Sequence, residues 1–319
     1  MLTISKISKT FSVGAFGGKE LIAVNDVSFE VQPGEVVSLI GESGSGKTTV
    51  GRMILRLSPI TKGSITFEGV NISTLKRRKL KGYYRHVQGV FQDPFSSYNP
   101  IFKADRVFKM VRDEYYPGMS RPAWRDKVHA SLEAVGLEPN QVLNKYPHQL
   151  SGGQLQRLLI ARALLLDLRF LVADEIISML DASTRIDVLN LLGDLKARGL
   201  GILFITHDLS LGNYISEKTV ILRRGSIVEM GATGKVFGNP QHSYTKMLLE
   251  SVPKLHEKWA NGNGDVTALL DEEKAAAEVV RKRLAGQYTG RAGREVVPLI
   301  EFEPDHFVAL TESGGEEAS

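Results

Sequence analysis

Cysteine is absent from this chain of 319 residues. Without a thiol, the sequence excludes disulfide bonds, zinc–thiolate sites and iron–sulfur clusters that cysteine would ligate. The sequence also lacks any apolar run that approaches the roughly 20 residues needed to cross a bilayer. Its first ten residues, "MLTISKISKT", lack the apolar segment of a secretory signal. We therefore expect a cytosolic location.

Neither sign of charge dominates the composition. The 40 Lys and Arg residues nearly balance the 36 Asp and Glu residues, which leaves a formal net charge of +4. The cluster "LKRRKLKGYYRH" (75–86) holds much of this excess. A nucleic-acid patch and a solvated helix face are both possible readings of such a cluster, and the second is the commoner one. Charge alone does not decide the function.

Short apolar runs alternate with helical patterns along most of the chain. Continuously apolar stretches at 36–41, 169–175 and 201–208 are typical of strands covered on both faces. The stretches 63–72 and 219–231 resemble hairpins with tight turns. This alternation predicts an α/β sheet.

Two regions interrupt the alternation of strands and helices. Residues from about 95 to 165 are rich in charged and aromatic side chains and then helical, which predicts a helical insertion. Beyond about residue 254, a polar stretch precedes one amphipathic helical pattern, and 295–310 predicts one or two short strands. The terminal "TESGGEEAS" has the composition of a disordered segment.

A helix is also predicted from "STRIDVLNLLGDLKARGLG". We expect one apolar stripe along it that faces the core. Its expected members are Ile186, Leu189, Leu192 and Leu195.

The stretch "GESGSGKTTV" (41–50) follows a predicted strand and opens a predicted helix. It satisfies the pattern G-x-x-x-x-G-K-[ST], in which glycines let backbone N–H groups curl around phosphate oxygens. Lys47 is expected to reach the β- and γ-phosphates, and Thr48 to bind Mg²⁺. The nucleotide-binding residues expected here are Gly41, Glu42, Ser43, Gly44, Ser45, Gly46, Lys47, Thr48 and Thr49.

The stretch "FLVADE" (170–175) ends an apolar strand with two carboxylates. The carboxyl ends of parallel strands are where α/β sheets bind ligands. Asp174 suits a role at Mg²⁺, and Glu175 is then placed to orient and polarise the attacking water. Taken alone, the pair is more often a helix N-terminal charge pair; downstream of the phosphate-binding loop, the catalytic interpretation prevails.

A second anion-binding helix N-terminus is predicted at "LSGGQ" (150–154). One nucleotide needs one such cradle, so a second cradle suggests a nucleotide held elsewhere. Here the sequence closely resembles the ATP-binding cassette (ABC) family, whose signature motif is LSGGQ. In that family two cassettes pack head to tail, so the resemblance assigns Ser151, Gly152, Gly153 and Gln154 to the ATP of a partner cassette.

Further residues are assigned by the same resemblance. Gln92 in "VFQDP" matches the glutamine that senses Mg²⁺ and the membrane partner, which adds it to Thr48 and Asp174 as an expected metal contact. Asp181 in "SMLDAS" matches the aspartate at the dimer seam, and His207 in "FITHD" matches the switch histidine that contacts the γ-phosphate. Glu175 and His207 are thus the expected catalytic residues.

Two further points concern the adenine contact and one position at which this chain departs from the family's usual sequence. Phe11 in "SKTFSV" is the candidate for stacking on adenine, with Phe16 as its competitor. The family usually has proline after the catalytic glutamate, where this chain has Ile176. Both carboxylates and Asp181 stay in place, so we expect hydrolysis to be retained.

The family resemblance implies a P-loop NTPase core of the ABC ATPase type, with an antiparallel β subdomain and a helical insertion. We expect a nucleotide-binding domain over 1–253, with a helical subdomain at about 93–165, and a small C-terminal accessory segment over 254–319. ATP and Mg²⁺ are the implied cofactors.

Three stretches resemble the oligopeptide and dipeptide importer ATPases in particular: 90–100, 146–154 and 231–253. The implied role is to power uptake, with oligopeptides as the first expectation and oligosaccharides as the alternative. The implied partners are a second ATPase subunit, the same or different, two membrane permease subunits and, indirectly, an external solute-binding protein. The chain would then lie at the cytoplasmic face of the membrane.

A soluble ABC ATPase that acts on nucleic acid or the ribosome is the competing hypothesis. Translation-type members usually carry two cassettes in one chain, and repair-type members carry long coiled coils between their motifs; neither feature is present. No nucleic-acid partner is therefore expected. For docking to the membrane subunits, the candidates after Gln92 are Phe95, Tyr98 and Phe102, for which packing inside the insertion is the equal alternative.

Overall fold

We describe the fold from a computed structural model, which describes residues 1–13, 19–251 and 297–309. Among these residues, four strands form an antiparallel sheet in the order β2-β1-β4-β5. Its strands are β1 (Leu2–Val13), β2 (Lys19–Val31), β4 (Lys62–Phe67) and β5 (Val70–Asn71). The turn between the last two strands has left-handed backbone at Glu68 and Gly69, which confirms the predicted hairpin at 63–72.

A second sheet holds the other eight strands of the described residues. The strands are β3 (Val36–Ile40), β6 (Val87–Val90), β7 (Phe170–Asp174), β8 (Gly201–Thr206), β9 (Lys218–Arg223), β10 (Ser226–Ala232), β11 (Leu299–Glu303) and β12 (His306–Ala309). They lie in the order β11-β12-β10-β9-β3-β8-β7-β6. From β9 to β6 all neighbours are parallel, which confirms the predicted α/β sheet.

Every residue of β3, β7 and β8 is buried, as their continuously apolar sequences predict. Because these strands are parallel neighbours, their carboxyl ends meet at one edge of the sheet. The phosphate-binding loop follows β3, Asp174 is the last residue of β7, and His207 follows β8. The order of strands therefore brings three distant stretches of sequence to one place.

Helices cover the parallel sheet and form the insertion. They are α1 (Lys47–Ile54), α2 (Arg77–His86), α3 (Arg106–Tyr115), α4 (Arg121–Glu133), α5 (Pro139–Val142), α6 (Gly152–Leu164), α7 (Ala182–Ala197), α8 (Leu209–Ile215), α9 (Thr233–Gly238) and α10 (Ser243–Glu250). Helices α3 to α6 confirm the predicted helical insertion. Residues 76–79, at the start of α2, are exposed, in keeping with a solvated basic helix.

The predicted stripe on α7 is partly wrong. Leu189, Leu192 and Leu195 are at most 4% exposed, but Ile186 is 46% exposed. A strict spacing of three falls short of the 3.6-residue turn, so the stripe drifts around the helix and its first member leaves the core face. Val188, at the helical spacing of four from Leu192, is buried in its place.

Strands β11 and β12 form an antiparallel hairpin that extends the second sheet by pairing with β10. This confirms the strands predicted near the C-terminus. The predicted amphipathic helix beyond residue 254 and the terminal "TESGGEEAS" lie outside the described residues, as does Phe16. Among the helices of the described residues, none combines the length and apolarity required to cross a bilayer.

Candidate active site

The phosphate-binding loop passes directly from β3 into α1, with Gly41 at its start. A Cβ atom on Gly41 would lie 2.1 Å from the carbonyl oxygen of Leu222, so no other residue type can occupy this position without displacing β9. Helix α1 begins at Lys47, and its N-terminal N–H groups therefore belong to the loop. The local fold is that of a phosphate cradle at a helix N-terminus.

Lys47 lies in the middle of this loop and is 5% exposed. Its Nζ donates hydrogen bonds to the carbonyl oxygens of Gly41 at 2.6 Å and Glu42 at 2.8 Å. Burial lowers the pKa of Lys47, against the opposing effect of Glu175 and Asp174. A desolvated cation held only by carbonyls and nearby carboxylates is suited to bind phosphate oxygens.

Asp174, at the end of β7, approaches the start of α1. Its Oδ1 accepts a hydrogen bond from Thr48 Oγ1 at 3.3 Å, and the residue is 5% exposed. Burial is the main effect that raises the pKa of Asp174. A hydroxyl and a carboxylate oxygen brought together beside the phosphate cradle are the hard donors that Mg²⁺ prefers, so the donor set fits that ion.

Glu175 and His207 meet at the edge of the sheet. Glu175 has left-handed backbone (φ 50°), and its N–H donates to the carbonyl of Ile205 at 2.9 Å. Its Oε1 lies 3.3 Å from Nδ1 of His207, which is largely exposed. Left-handed backbone in a residue other than glycine is uncommon and concentrates at functional sites, where it directs a side chain.

Ile176 has a backbone consequence for Glu175. A proline restricts the residue before it to extended conformations, because the ring clashes with that residue's backbone. With Ile176 this restriction is absent, and Glu175 takes its left-handed conformation. Ile176 itself is 1% exposed and packs in the core.

One cavity of about 670 Å³ is surrounded by the predicted loop residues other than Ser45, together with Gln92, Glu175 and His207. Its lining consists of Ala23, Gly41, Glu42, Ser43, Gly44, Gly46, Lys47, Thr48, Thr49, Gln92, Glu175, His207 and Leu248. Sequence reasoning missed Ala23 and Leu248. The only signal for Leu248 was its place in the stretch 231–253.

One predicted loop residue, Ser45, and the aromatic candidate, Phe11, stand apart from this lining. Ser45 is 4% exposed, and its carbonyl accepts a hydrogen bond from the N–H of Gly225. Phe11 is 40% exposed on β1, where Lys9 Nζ lies 4.8 Å from its ring centroid. Among the described residues the cavity lining does not include Phe11, so its contact with adenine stays a prediction.

The signature stretch forms the N-terminus of α6. Ser151 Oγ accepts from the Gln154 N–H at 3.1 Å, and Gln154 Oε1 accepts from the Ser151 N–H at 2.9 Å. This reciprocal capping box fixes the helix start. A Cβ on Gly153 would lie 2.4 Å from Cγ2 of Thr184, so α6 and α7 begin in close contact. In the described chain, residues 151–154 do not line the P-loop cavity.

Asp181 caps the neighbouring helix α7. Its carboxylate accepts hydrogen bonds from the Thr184 N–H, the Thr184 hydroxyl and the Ser183 hydroxyl. These bonds hold the pKa of Asp181 well below its usual range, so it stays ionised. Asp181 therefore lies close to the signature stretch through Thr184, and both lie outside the described lining of the cavity.

The aromatic residues predicted to dock a membrane subunit do not form one surface. Tyr98 is 7% exposed, and its hydroxyl donates to the carbonyl of Leu155 inside the insertion. Phe95 is half exposed and lies near Gly152, and Phe102 stacks under Arg106. The structure instead shows a largely apolar groove of about 750 Å³ between β6, α3 and the residues that follow α1.

Known proteins of similar sequence are ATP-binding transport proteins, in agreement with the residues of this site. The family model described as "ABC transporter" matches residues 24–178, and that of the "oligopeptide/dipeptide transporter, C-terminal region" matches residues 228–276. An oligopeptide transport ATP-binding protein of Bacillus subtilis is 39% identical over 293 residues, which cover 91% of this chain and 90% of that protein. Its counterpart in Streptococcus mutans is 42% identical, over 80% of this chain and 82% of that protein.

A solved structure of similar fold is the dimeric, post-hydrolysis state of the ATP-binding cassette MJ0796 bound to ADP and phosphate. It is 28% identical, covers 73% of this chain and 99% of its own, and superposes with a TM-score of 0.66. Together with the P-loop, the paired carboxylates and the signature helix, these similarities show that the chain belongs to the ABC transporter family of ATPase subunits.

Proposed function

We propose that this chain binds and hydrolyses ATP to power an ABC importer of oligopeptides. The observation that carries the proposal is the single cavity in which the P-loop, Gln92, Glu175 and His207 come together. The names of the relatives favour peptides over oligosaccharides as the imported solute.

In the proposed reaction, P-loop N–H groups and Lys47 hold the β- and γ-phosphates and balance their charge. Glu175, fixed by its backbone hydrogen bond to Ile205, orients and polarises the attacking water. His207 lies within 3.3 Å of that carboxylate and contacts the γ-phosphate, so it reports whether the triphosphate is intact. Catalysis here is mostly positioning and charge balance.

Mg²⁺ would be held by Thr48 and Asp174, with Gln92 in the lining of the same cavity as Thr48. When bound, the ion would neutralise part of the phosphate charge. Asp174 keeps the Thr48 hydroxyl directed toward that position.

The signature stretch is proposed to act on the nucleotide of a second cassette. Residues 151–154 present a capped helix N-terminus, and Asp181 lies close to them through Thr184. The similar cassette MJ0796 is described as dimeric. A head-to-tail pair, of like or different chains, would complete each P-loop with the other chain's signature.

The apolar groove is proposed to receive a helix of one membrane permease subunit. Leu57 and Met110 are 60% and 61% exposed at its rim, and Phe91, next to Gln92, lies in its wall. Apolar side chains exposed this far are usual at protein interfaces. The chain would thus lie on the cytoplasmic face of the membrane, with an external solute-binding protein acting through the permease.

The replacement Glu175→Gln tests the catalytic assignment. The amide keeps the shape of the side chain but cannot take a proton, so we expect ATP affinity within about twofold of wild type and phosphate release reduced by about 100-fold or more. ATP binding is measured at equilibrium and phosphate release under saturating ATP and Mg²⁺. Glu217→Gln, which changes a carboxylate outside the cavity lining, is the matched control. Undiminished turnover in Glu175→Gln would reject Glu175 as the base.

A further inference from the structure

Helix α10 lies 200 residues beyond the P-loop in sequence but packs against it. Tyr244, in the first turn of α10, is 1% exposed, and its hydroxyl oxygen accepts a hydrogen bond from the Glu42 N–H at 3.0 Å. Leu248, one turn later, lines the nucleotide cavity. Of the segment matched by the oligopeptide/dipeptide transporter C-terminal model, the described part therefore reaches the nucleotide site through Tyr244 and Leu248.

The peptide unit between Gly41 and Glu42 is held at both ends. Its N–H donates to Tyr244, and its carbonyl oxygen accepts from Lys47 Nζ at 2.6 Å. A trans peptide is planar, with its N–H and C=O directed to opposite sides. Fixing the N–H toward Tyr244 therefore fixes the carbonyl toward Lys47.

We propose that Tyr244 is a positioning residue of the ATPase site, which sets the orientation of the Gly41–Glu42 peptide and through it the place of Lys47. This inference rests on the proposed binding of ATP by the P-loop. In this proposal α10 preorganises the phosphate cradle, so that ATP binds to a loop that is already ordered.

Tyr244 is in turn fixed by a chain of buried hydrogen bonds that leads away from the site. Its N–H donates to Nδ1 of His242 at 3.1 Å, which caps α10. The carboxylate of Glu229 accepts from the N–H groups of Gln241 and His242, and it also meets Nε2 of His306 at 2.7 Å. Strand β10 and the C-terminal hairpin thereby hold the start of α10 in place.

The tyrosine ring is held as firmly as its hydroxyl. The guanidinium of Arg223 lies 4.8 Å from the ring centroid, a cation–π contact. Burial raises the pKa of Tyr244, so the hydroxyl keeps its proton. Because the ring is fixed independently, removal of the hydroxyl alone changes the P-loop contact and little else.

The test is Tyr244→Phe. Without its acceptor the peptide reorients freely, and ATP binding must order it, so the KM for ATP should rise about fivefold, the worth of one neutral hydrogen bond. Once ATP is bound, its phosphates hold the loop, so kcat should stay within about twofold.

Tyr83→Phe is the matched control. Tyr83 is 6% exposed and its hydroxyl donates to the carbonyl of Ile54 at 2.8 Å, at the far end of α1 from the phosphate cradle. Both variants lose one buried hydroxyl contact with the backbone, and only Tyr244→Phe should raise the KM. An equal rise in both, or no rise in Tyr244→Phe, would overturn the positioning role.

Hydrogen exchange supplies a second readout that does not depend on turnover. In the absence of nucleotide, peptides that contain the Glu42 amide should exchange about fivefold faster in Tyr244→Phe than in wild type, with those from β7 and β8 unchanged. Unaltered exchange at Glu42 would also overturn the inference. If wild type itself neither binds nor hydrolyses ATP, and Lys47→Ala makes no difference, the proposed function fails instead.

Discussion

Lys47 and Asp174 show how burial sets protonation at the site. Burial lowers the pKa of the lysine and raises the pKa of the aspartate, so each charged form is made less stable by desolvation. The interaction between the two charges opposes both shifts. Removing either residue therefore weakens the charged form of the other, and measured effects of the two changes should not add.

His242 provides a prediction on pH. Burial lowers the pKa of the His242 imidazole to about 4, and the cations Arg223 and Lys246 act in the same direction. The carboxylate of Glu229 accepts a hydrogen bond from the backbone N–H of His242. The unfolded chain takes up a proton near pH 6.5, and the folded chain resists it. Stability from this group is therefore present above pH 6.5 and is lost as the pH falls toward 4, by about 2 kcal/mol between pH 7 and 5.

The variant His242→Asn isolates this contribution. Asparagine keeps a side-chain acceptor at the start of α10 but does not titrate. The free energy of unfolding is measured in urea at pH 7 and at pH 5. On going from pH 7 to pH 5, it should fall by about 2 kcal/mol less in the variant than in wild type. An equal loss in both proteins would contradict the assignment to His242.

At the scale of elements, the apolar groove next to Gln92 leads to a prediction about membrane association. Met110→Glu on α3 should lower the fraction of tagged chain that is recovered with the membranes of its own host, because a charge replaces an apolar contact. Val70→Glu on β5 is the control, since Val70 is 53% exposed and lies outside the described lining of the groove. Both should fold normally, as exposed substitutions usually cost within about 0.5 kcal/mol. Full retention of Met110→Glu on membranes would contradict docking at the groove.

An element can be predicted from the sequence when its residues follow one simple local pattern along its whole length. Strands β3, β7 and β8 are apolar throughout, and the P-loop depends on glycines at a fixed spacing, so both are recognisable locally. The stripe on α7 was misassigned at Ile186 because a spacing of three approximates the helical period over only two turns. Whether a stretch is a strand or a helix thus follows from its local pattern. The exposure of each helical side chain depends on its angular position around the helix axis.

Contacts between distant stretches were beyond sequence reasoning. Ala23 lines the cavity from strand β2, Leu248 lines it from α10, and Tyr244 of α10 contacts the loop backbone at Glu42. None has a chemistry that marks a nucleotide site, since two are small or apolar and the third acts through a backbone N–H. Only the folded arrangement of β2 and α10 brings them to the P-loop.

For the whole molecule, the separation of the two anion-binding helix ends predicts an assembly. The signature lies outside the P-loop cavity of its own chain, so a change there should affect ATP only in a second copy or partner. Gly152 suits the test, because a Cβ there meets Leu180 and Phe95 at an ordinary 3.8 Å. An aspartate at this helix N-terminus favours the fold of α6 through the helix dipole but repels phosphate.

In the Glu175→Gln background, which retains ATP, we expect gel filtration with ATP and Mg²⁺ to show a dimer. Adding Gly152→Asp should abolish that dimer while ATP affinity of the monomer stays within about twofold, because the P-loop is untouched. A dimer that persists would reject the signature as a contact to the partner's phosphate. If Glu175→Gln alone stays monomeric with ATP bound, pairing of like chains is contradicted. Association of the two variants with a different cassette is then measured, and Gly152→Asp should again prevent it.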